Sequence, residues 1–169
     1  IKIDGAERPN IEGEICIRGP HVTPGYIGRF EATASNEDGW LKSGDIGYVD
    51  EDGYLFVVDR RSDLIISGGE NISSLEVEEV LYRHAAVLTA AVVAKPDPRW
   101  QEVPCAFIEL KEGTQATEEE IMEFCREHLA RFKVPKDVVI TEIPKTSTGK
   151  LQKFVLREWA KERAQGEFS

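Results

Sequence analysis

The stretch Ser73-Ser74-Leu75-Glu76-Val77-Glu78-Glu79-Val80-Leu81-Tyr82-Arg83, followed after three residues by Val87-Leu88-Thr89-Ala90-Ala91-Val92-Val93, decides the fold class. Ser73 and Glu76 have capping-box spacing, in which each side chain satisfies a free backbone donor of the other, so a helix is predicted at about 74 to 83. Its apolar stripe is read as Leu75, Val77, Val80 and Leu81. The β-branched run that follows has strand length and strand composition.

The same alternation continues downstream. Cys105 to Leu110 reads as a strand, Thr117-x-x-Glu120 opens a second helix at about 117 to 129, and Asp137 to Thr141 reads as a third strand. Ile121, Phe124, Cys125 and Leu129 form the second helix's apolar face. Gln152 to Arg163 alternates basic and apolar residues helically. An α+β unit follows, a roughly three-stranded sheet packed with helices.

Upstream the pattern is β-rich. Glu14 to Arg18, Leu41 to Lys42, Ile46 to Val49 and Tyr54 to Asp59 are short strand-like runs separated by Gly- and Asp-rich turns, with one short helix expected through Phe30 to Asn36. So few strands make a poor independent core. Residues 1–61 are therefore expected to be the β-rich end of a larger domain, and 62–169 a small C-terminal domain. The charged stretch Asp59-Arg60-Arg61-Ser62-Asp63 is the expected boundary and hinge. The first residue, Ile1, fits a cut or processed start.

Composition narrows the function classes. With 169 residues, 41% of them hydrophobic, the chain can bury a core. No apolar run approaches the ~18 residues of a membrane span, and no secretory signal opens the chain, so a cytoplasmic location is the expectation. Cys16, Cys105 and Cys125 are odd in number without a close pair, which fits neither a disulfide framework nor a zinc site; they are expected to be reduced core thiols, and no metal site is expected. A net charge of −10 argues against wrapping nucleic acid. Residues 130–163 nevertheless hold nine Lys or Arg against four acids, a local +5, while 1–129 carry −14. An anionic small molecule or plain solvation would both suit that tail.

Four glycine- or proline-punctuated segments could carry chemistry. Trp40-Leu41-Lys42-Ser43-Gly44-Asp45 ends in a tight turn that offers a carboxylate able to accept both hydroxyls of a ribose; an ordinary structural turn reads the same way. Ile66-Ser67-Gly68-Gly69-Glu70-Asn71 permits close backbone approach to a ligand, or simply a hairpin turn. Pro144-Lys145-Thr146-Ser147-Thr148-Gly149-Lys150 presents a lysine just before a basic helix. It is not a phosphate-cradling Walker loop, which needs glycine where Pro144 stands. A lysine contact at ~4 Å with developing negative charge is worth about 4 kcal/mol at an effective dielectric of ~20, roughly a thousandfold in rate if made only in the transition state. Pro96-Asp97-Pro98-Arg99-Trp100 sets an arginine beside a large aromatic, suited to a purine and its phosphate or to capping the core.

The order of the segments says more than any one of them. Gly13-Glu14-Ile15-Cys16-Ile17-Arg18-Gly19-Pro20, Pro24-Gly25-Tyr26, Phe30-Glu31-Ala32-Thr33, Ser43-Gly44-Asp45, Tyr54-Leu55-Phe56-Val57-Val58-Asp59-Arg60, Gly68-Gly69-Glu70-Asn71 and Thr148-Gly149-Lys150 together resemble the adenylate-forming family of acyl-CoA synthetases, luciferases and peptide-synthetase adenylation domains. The resemblance runs from about residue 12 to 158. Ile65 to Ser73 and Lys145 to Arg157 look most like bacterial-type fatty acyl and methylmercaptopropionate CoA ligases.

What the resemblance implies is an AMP-forming acid:CoA ligase that makes acyl-AMP and pyrophosphate from ATP, then passes the acyl group to CoA after its C-terminal lid rotates. By position, Asp45 would hold the ribose of ATP or AMP, Arg60 would bind the same nucleotide, Lys150 would be the catalytic adenylation lysine and Ser62 the hinge. Gly68 and Gly69 would line the pantetheine path, and Trp100 and Phe132 would meet the nucleotide end of CoA. ATP, Mg2+, CoA and a carboxylic acid are the implied small molecules, and the family's N-terminal domain the implied partner. The phosphate loop and acyl pocket of the family lie upstream of residue 1, so these 169 residues alone are expected to be inactive.

Departures qualify the match. Ser62 stands where the family usually has Asp or Lys, Gln101 follows Trp100 where glycine is common, and Val134 replaces a basic residue found in some relatives. Two other classes stay open: a non-catalytic binding module that kept the fold, and an adenylation domain serving a carrier protein.

Overall fold

The computed structural model describes residues 1–22 and 38–166. The polypeptide folds as two compact units, Ile1–Ser62 and Asp63–Ser169. The expected helix through 30–36 and the segments at 24–26 and 30–33 lie outside the described residues.

The first unit is an antiparallel sheet in the order β1-β2-β3-β4: β1 (Lys2–Ile3), β2 (Gly13–Ile17), β3 (Leu41–Val49) and β4 (Leu55–Arg60). Ile3, Ile15 and Cys16 are its buried apolar residues. The expected turn at Ser43-Gly44-Asp45 is instead part of one continuous strand. Cys16 pairs with Lys42 and Glu14 with Ile46, so extra residues of β3 are taken up between these pairs as a bulge. Gly44 makes that possible with φ of 80°, a left-handed conformation that costs glycine little.

In the second unit β5 (Ile65–Ser67) and β6 (Glu70–Ile72) precede α1 (Ser74–Tyr82), followed by β7 (Val87–Asp97), β8 (Gln101–Leu110), α2 (Glu118–His128), β9 (Asp137–Ile140) and α3 (Lys153–Gln165). The sheet has five strands rather than about three, because the Gly-Gly segment is itself a hairpin that adds β5 and β6. Gly68 and Gly69 are its two turn residues, with φ of 59° and 90°. Positive φ at both positions matches the right-handed twist of the flanking strands.

β7 and β8 pair antiparallel along their length, β9 runs parallel to β8, and β5 meets β8 at Ser67 and Gln101. Both faces of this sheet are covered. Ala90, Val92, Ala106 and Ile108 join Val77, Leu81, Ile121 and Cys125 of α1 and α2 in one core, while Ala91, Val93, Cys105 and Phe107 join Leu156 and Ala160 of α3 in the other. Burial on both sides is why β7 and β8 read as unbroken apolar runs.

All three cysteines are free and buried. Burial pushes the Cys105 thiol up to about 12 and the Cys125 thiol to about 11, which keeps both protonated at neutral pH. The stripe assigned to α1 needs correction. Leu75 is 45% exposed, and Glu78, at 7%, points inward. Positions 74, 77, 78 and 81 share one face at helical spacing, and Glu78 can occupy it because Lys153 meets its carboxylate at 2.8 Å.

Candidate functional site

In the first unit the cross-strand register sets Asp45 opposite Arg60. Arg60 Nε lies 3.4 Å from Asp45 Oδ1, and both side chains reach solvent. The bulge turns Asp45 outward, and its own N–H donates to Ser43 Oγ at 3.1 Å. Gly44 O accepts from Arg61 N–H at 2.8 Å, which fixes the bulge to the end of β4. The pair offers a carboxylate acceptor and a guanidinium donor side by side, a set suited to a ribose and a phosphate.

In the second unit the hairpin turn and the β7–β8 turn build a groove. Asp97 Oδ1 accepts from the N–H groups of Arg99 and Trp100, both at 2.8 Å, and Gly68 N–H donates to Trp100 O at 2.8 Å. Trp100 lies against Gly68: a Cβ at residue 68 would stand 2.8 Å from the indole. The cavity that results, 510 Å³, is lined by Ser67, Gly68, Arg99, Trp100, Arg131, Phe132 and Lys136 among others. Trp100 and Phe132 are each 42% exposed, which removes the core reading for the tryptophan. The Arg99 guanidinium sits 4.7 Å from the Trp100 ring centre, a cation stacked on the indole. Gln101 has φ of 68°, so the left-handed backbone that glycine would favour is kept with a larger residue in place.

Lys150 stands on a closed loop. An isolated bridge joins Lys145 to Leu151, Gln152 N–H donates to Pro144 O at 2.9 Å, and Lys145 is paired with Glu109 at 2.6 Å. Inside the loop Thr146 N–H donates to Lys150 O at 2.8 Å, and Lys150 N–H donates to Thr146 Oγ1 at 3.1 Å. The backbone is pinned while the Lys150 side chain is exposed.

The basic tail now divides. Lys133, Lys145, Lys153, Arg157, Lys161 and Arg163 are held in ion pairs with Glu76, Glu109, Glu78, Asp63, Glu158 and Asp137. Arg131, Lys136 and Lys150 make no ion pair among the described residues. The charge excess is thus available to a ligand at two places, the groove and the loop. Sequence reasoning had Trp100 and Phe132 but missed Arg131 and Lys136 as their cationic neighbours; the signal was the charge count of the tail, which could not say which cations were already spent.

Among the described residues no group of three or more His, Cys, Asp or Glu is placed to hold a metal ion. No helix of the described residues is long and apolar enough to cross a membrane.

The chain is similar to known proteins in sequence and fold. Residues 76–150 match the family described as AMP-binding enzyme C-terminal domain. The chain is 54% identical over 166 residues to 2-methylpropanoate–CoA ligase of Humulus lupulus, covering 95% of this chain and 29% of that protein. It is 52% identical over 166 residues to 2-succinylbenzoate–CoA ligase of Bacillus cytotoxicus, covering 96% and 34%. The o-succinylbenzoate CoA synthetase of Bacillus subtilis, solved in complex with the acyl-adenylate intermediate OSB-AMP, superposes with a TM-score of 0.79 at 43% identity, over 89% of this chain and 31% of that one. The chain thus spans about a third of the length of these relatives.

Proposed function

We infer that this chain, whose residues 76–150 belong to the AMP-binding enzyme C-terminal domain family, works as the C-terminal third of an AMP-forming acid:CoA ligase. The reaction has two halves: a carboxylate attacks the α-phosphorus of ATP to give acyl-AMP and pyrophosphate, then the CoA thiol takes the acyl group and AMP leaves. The observation that carries this reading is where the unpaired cations of the basic tail, residues 130–163, stand. Lys150 is on a pinned loop with its ammonium exposed, while Arg131 and Lys136 rim an aromatic groove closed by a glycine hairpin.

Each place suits one half. In adenylation, the Lys150 ammonium would neutralise charge shared between the acyl carboxylate and the α-phosphate, where a contact made only in the transition state accelerates the step. Asp45 would accept from the ribose hydroxyls and Arg60 would donate to the same nucleotide. In acyl transfer, Trp100 and Phe132 would pack against the adenine of CoA, Arg99, Arg131 and Lys136 would meet its phosphates, and Gly68 and Gly69 would let the pantetheine arm pass close to the backbone. Rotation about the 59–63 stretch, with Ser62 as the pivot, would bring each place to the reacting carbon in turn. The carboxylic acid, ATP and magnesium would be bound chiefly by the N-terminal part of such an enzyme.

ATP–pyrophosphate exchange, run on the full-length polypeptide with short, medium-chain, branched and aromatic acids, tests the reading. Exchange dependent on one acid class names the substrate class. Absence of exchange with all of them overturns the assignment and favours a binding module.

A further inference from the structure

The second unit begins at Asp63, and Asp63 does not stand alone. Its carboxylate meets Arg157 Nη2 through one oxygen and lies 3.6 Å from Lys153 Nζ through the other. Lys153 Nζ also reaches Glu78 Oε1 at 2.8 Å and Ser74 Oγ at 3.0 Å, and Glu78 Oε1 accepts from Val92 N–H at 2.7 Å. Two carboxylates and two cations are thus gathered at low exposure, with Glu78 the most enclosed. Charges taken this far from water are retained only when each meets an opposite charge or a hydrogen bond, and removing one member leaves the others uncompensated.

The place of this cluster gives it a role. Lys153 and Arg157 lie one turn apart on α3, and Lys153 is the first residue of that helix. The helix start is weakly held otherwise: Gln152 makes no side-chain capping bond and the first turn carries no acid. Immediately before it, Gln152 N–H binds Pro144 O and Leu151 bridges Lys145, so the Lys150 loop and the start of α3 are one hydrogen-bonded piece. On the other side of the boundary Arg61 Nη1 is held by Glu14 Oε2 at 2.8 Å, within the first unit. One residue, Ser62, separates the two anchors.

We propose that Asp63, Glu78, Lys153 and Arg157 form an ionic latch that fixes the Lys150 loop to the domain boundary, making Asp63 and Lys153 positioning residues for the adenylation half-reaction. The proposal rests on Lys150 being the adenylation lysine. The latch transmits the position of residue 63 to residue 150 through α3; acyl transfer, which uses the groove, does not depend on it. Asp63→Asn keeps the shape of the side chain and removes its charge, and Lys153→Met removes the opposite charge. Lys153→Arg keeps that charge.

Two measurements test the latch. On the full-length polypeptide, Asp63→Asn and Lys153→Met are expected to lower the maximal rate of ATP–pyrophosphate exchange about tenfold, with KM for ATP and acid within about twofold of wild type. Transfer from supplied acyl-AMP to CoA stays within about twofold, and Lys153→Arg recovers most of the exchange. Equal losses in both half-reactions would show a merely structural cluster and overturn the proposal, as would unchanged exchange. On the 169-residue chain itself, hydrogen exchange of the Gly149, Lys150 and Leu156 amides is expected to quicken at least fivefold in Asp63→Asn, or in Arg157→Gln should Asp63→Asn fail to fold, while amides of β7 and β8 stay protected. Unchanged protection at 149–156 overturns the latch, whatever the wild-type polypeptide does with ATP. Absence of exchange in wild type, with the protection change present, would sink the function of Lys150 and leave the latch.

Discussion

The groove beside Trp100 and the loop carrying Lys150 belong to the same unit, yet they are built on opposite principles. The groove has walls: a glycine hairpin lies against an indole, a second aromatic stands nearby, and the cavity measures 510 Å³. The loop has a hydrogen-bonded backbone and an exposed charge, closed at its base by the bridge and by the Lys145–Glu109 pair. A ligand with a large aromatic face and several phosphates needs walls, because stacking and dispersion act only at contact. A charge that must meet a fleeting anionic arrangement needs reach and a firm base. On the proposed function, the difference would let one small unit serve two half-reactions without sharing side chains between them.

Four substitutions break or sharpen that contrast. Lys150→Ala should have the largest effect, lowering ATP–pyrophosphate exchange a hundredfold or more, on the scale of one well-placed transition-state charge. Asp137→Asn comes next and should not discriminate between the regions, since Asp137 binds both Lys95 and Arg163 and so anchors β9 and the end of α3 together. Loss of these charged hydrogen bonds should cost roughly 1–3 kcal/mol, read from urea unfolding. Burial alone would raise the Asp137 carboxyl, but the hydrogen bonds from Arg163 and Lys95 outweigh it and hold the group below its ordinary value. A lowered value in the fold means stability present above the unfolded value near pH 4 and lost as pH falls through the folded one, so the variant should lose less stability on acidification than wild type does.

Trp100→Ala should weaken CoA, raising its KM about tenfold while leaving exchange within about twofold, as expected for loss of one stacking platform worth about 1–3 kcal/mol. The smallest effect is a gain. Gln101→Gly relieves left-handed strain of about 1–2 kcal/mol but adds chain entropy costing about 0.5–1 kcal/mol, so the variant should be more stable by roughly 0.5 kcal/mol in the same urea titration.

The elements with strong local signals were readable from the residues. Thr117 and Glu120 form the full reciprocal cap at the start of α2. Ser73 caps α1 through Glu76 N–H at 3.4 Å, whereas the Glu76 carboxylate is drawn to Lys133 at 2.6 Å, a partner 57 residues away that spacing cannot reveal. The hairpin strands β5 and β6 have three residues each, too few for a periodic pattern, so the sheet was undercounted. The inward turn of Glu78 had no sequence signal, because its neutralising lysine comes from another helix. The bulge at 43–45 depends on register against β2, which is likewise nonlocal. For the site, the candidate positions were legible as a pattern of motifs; which cations remained free around them was decided by pairings across the fold.

The most direct test of the account is to separate the two half-reactions in the two regions at once, measuring ATP–pyrophosphate exchange and CoA-dependent consumption of supplied acyl-AMP in Lys150→Ala and in Trp100→Ala full-length polypeptides. The account predicts a crossed result: Lys150→Ala loses exchange by a hundredfold or more and keeps acyl transfer within about threefold, while Trp100→Ala keeps exchange and loses acyl transfer at low CoA. If both variants depress both half-reactions in the same proportion, the groove and the loop do not divide the chemistry, and the central claim is wrong.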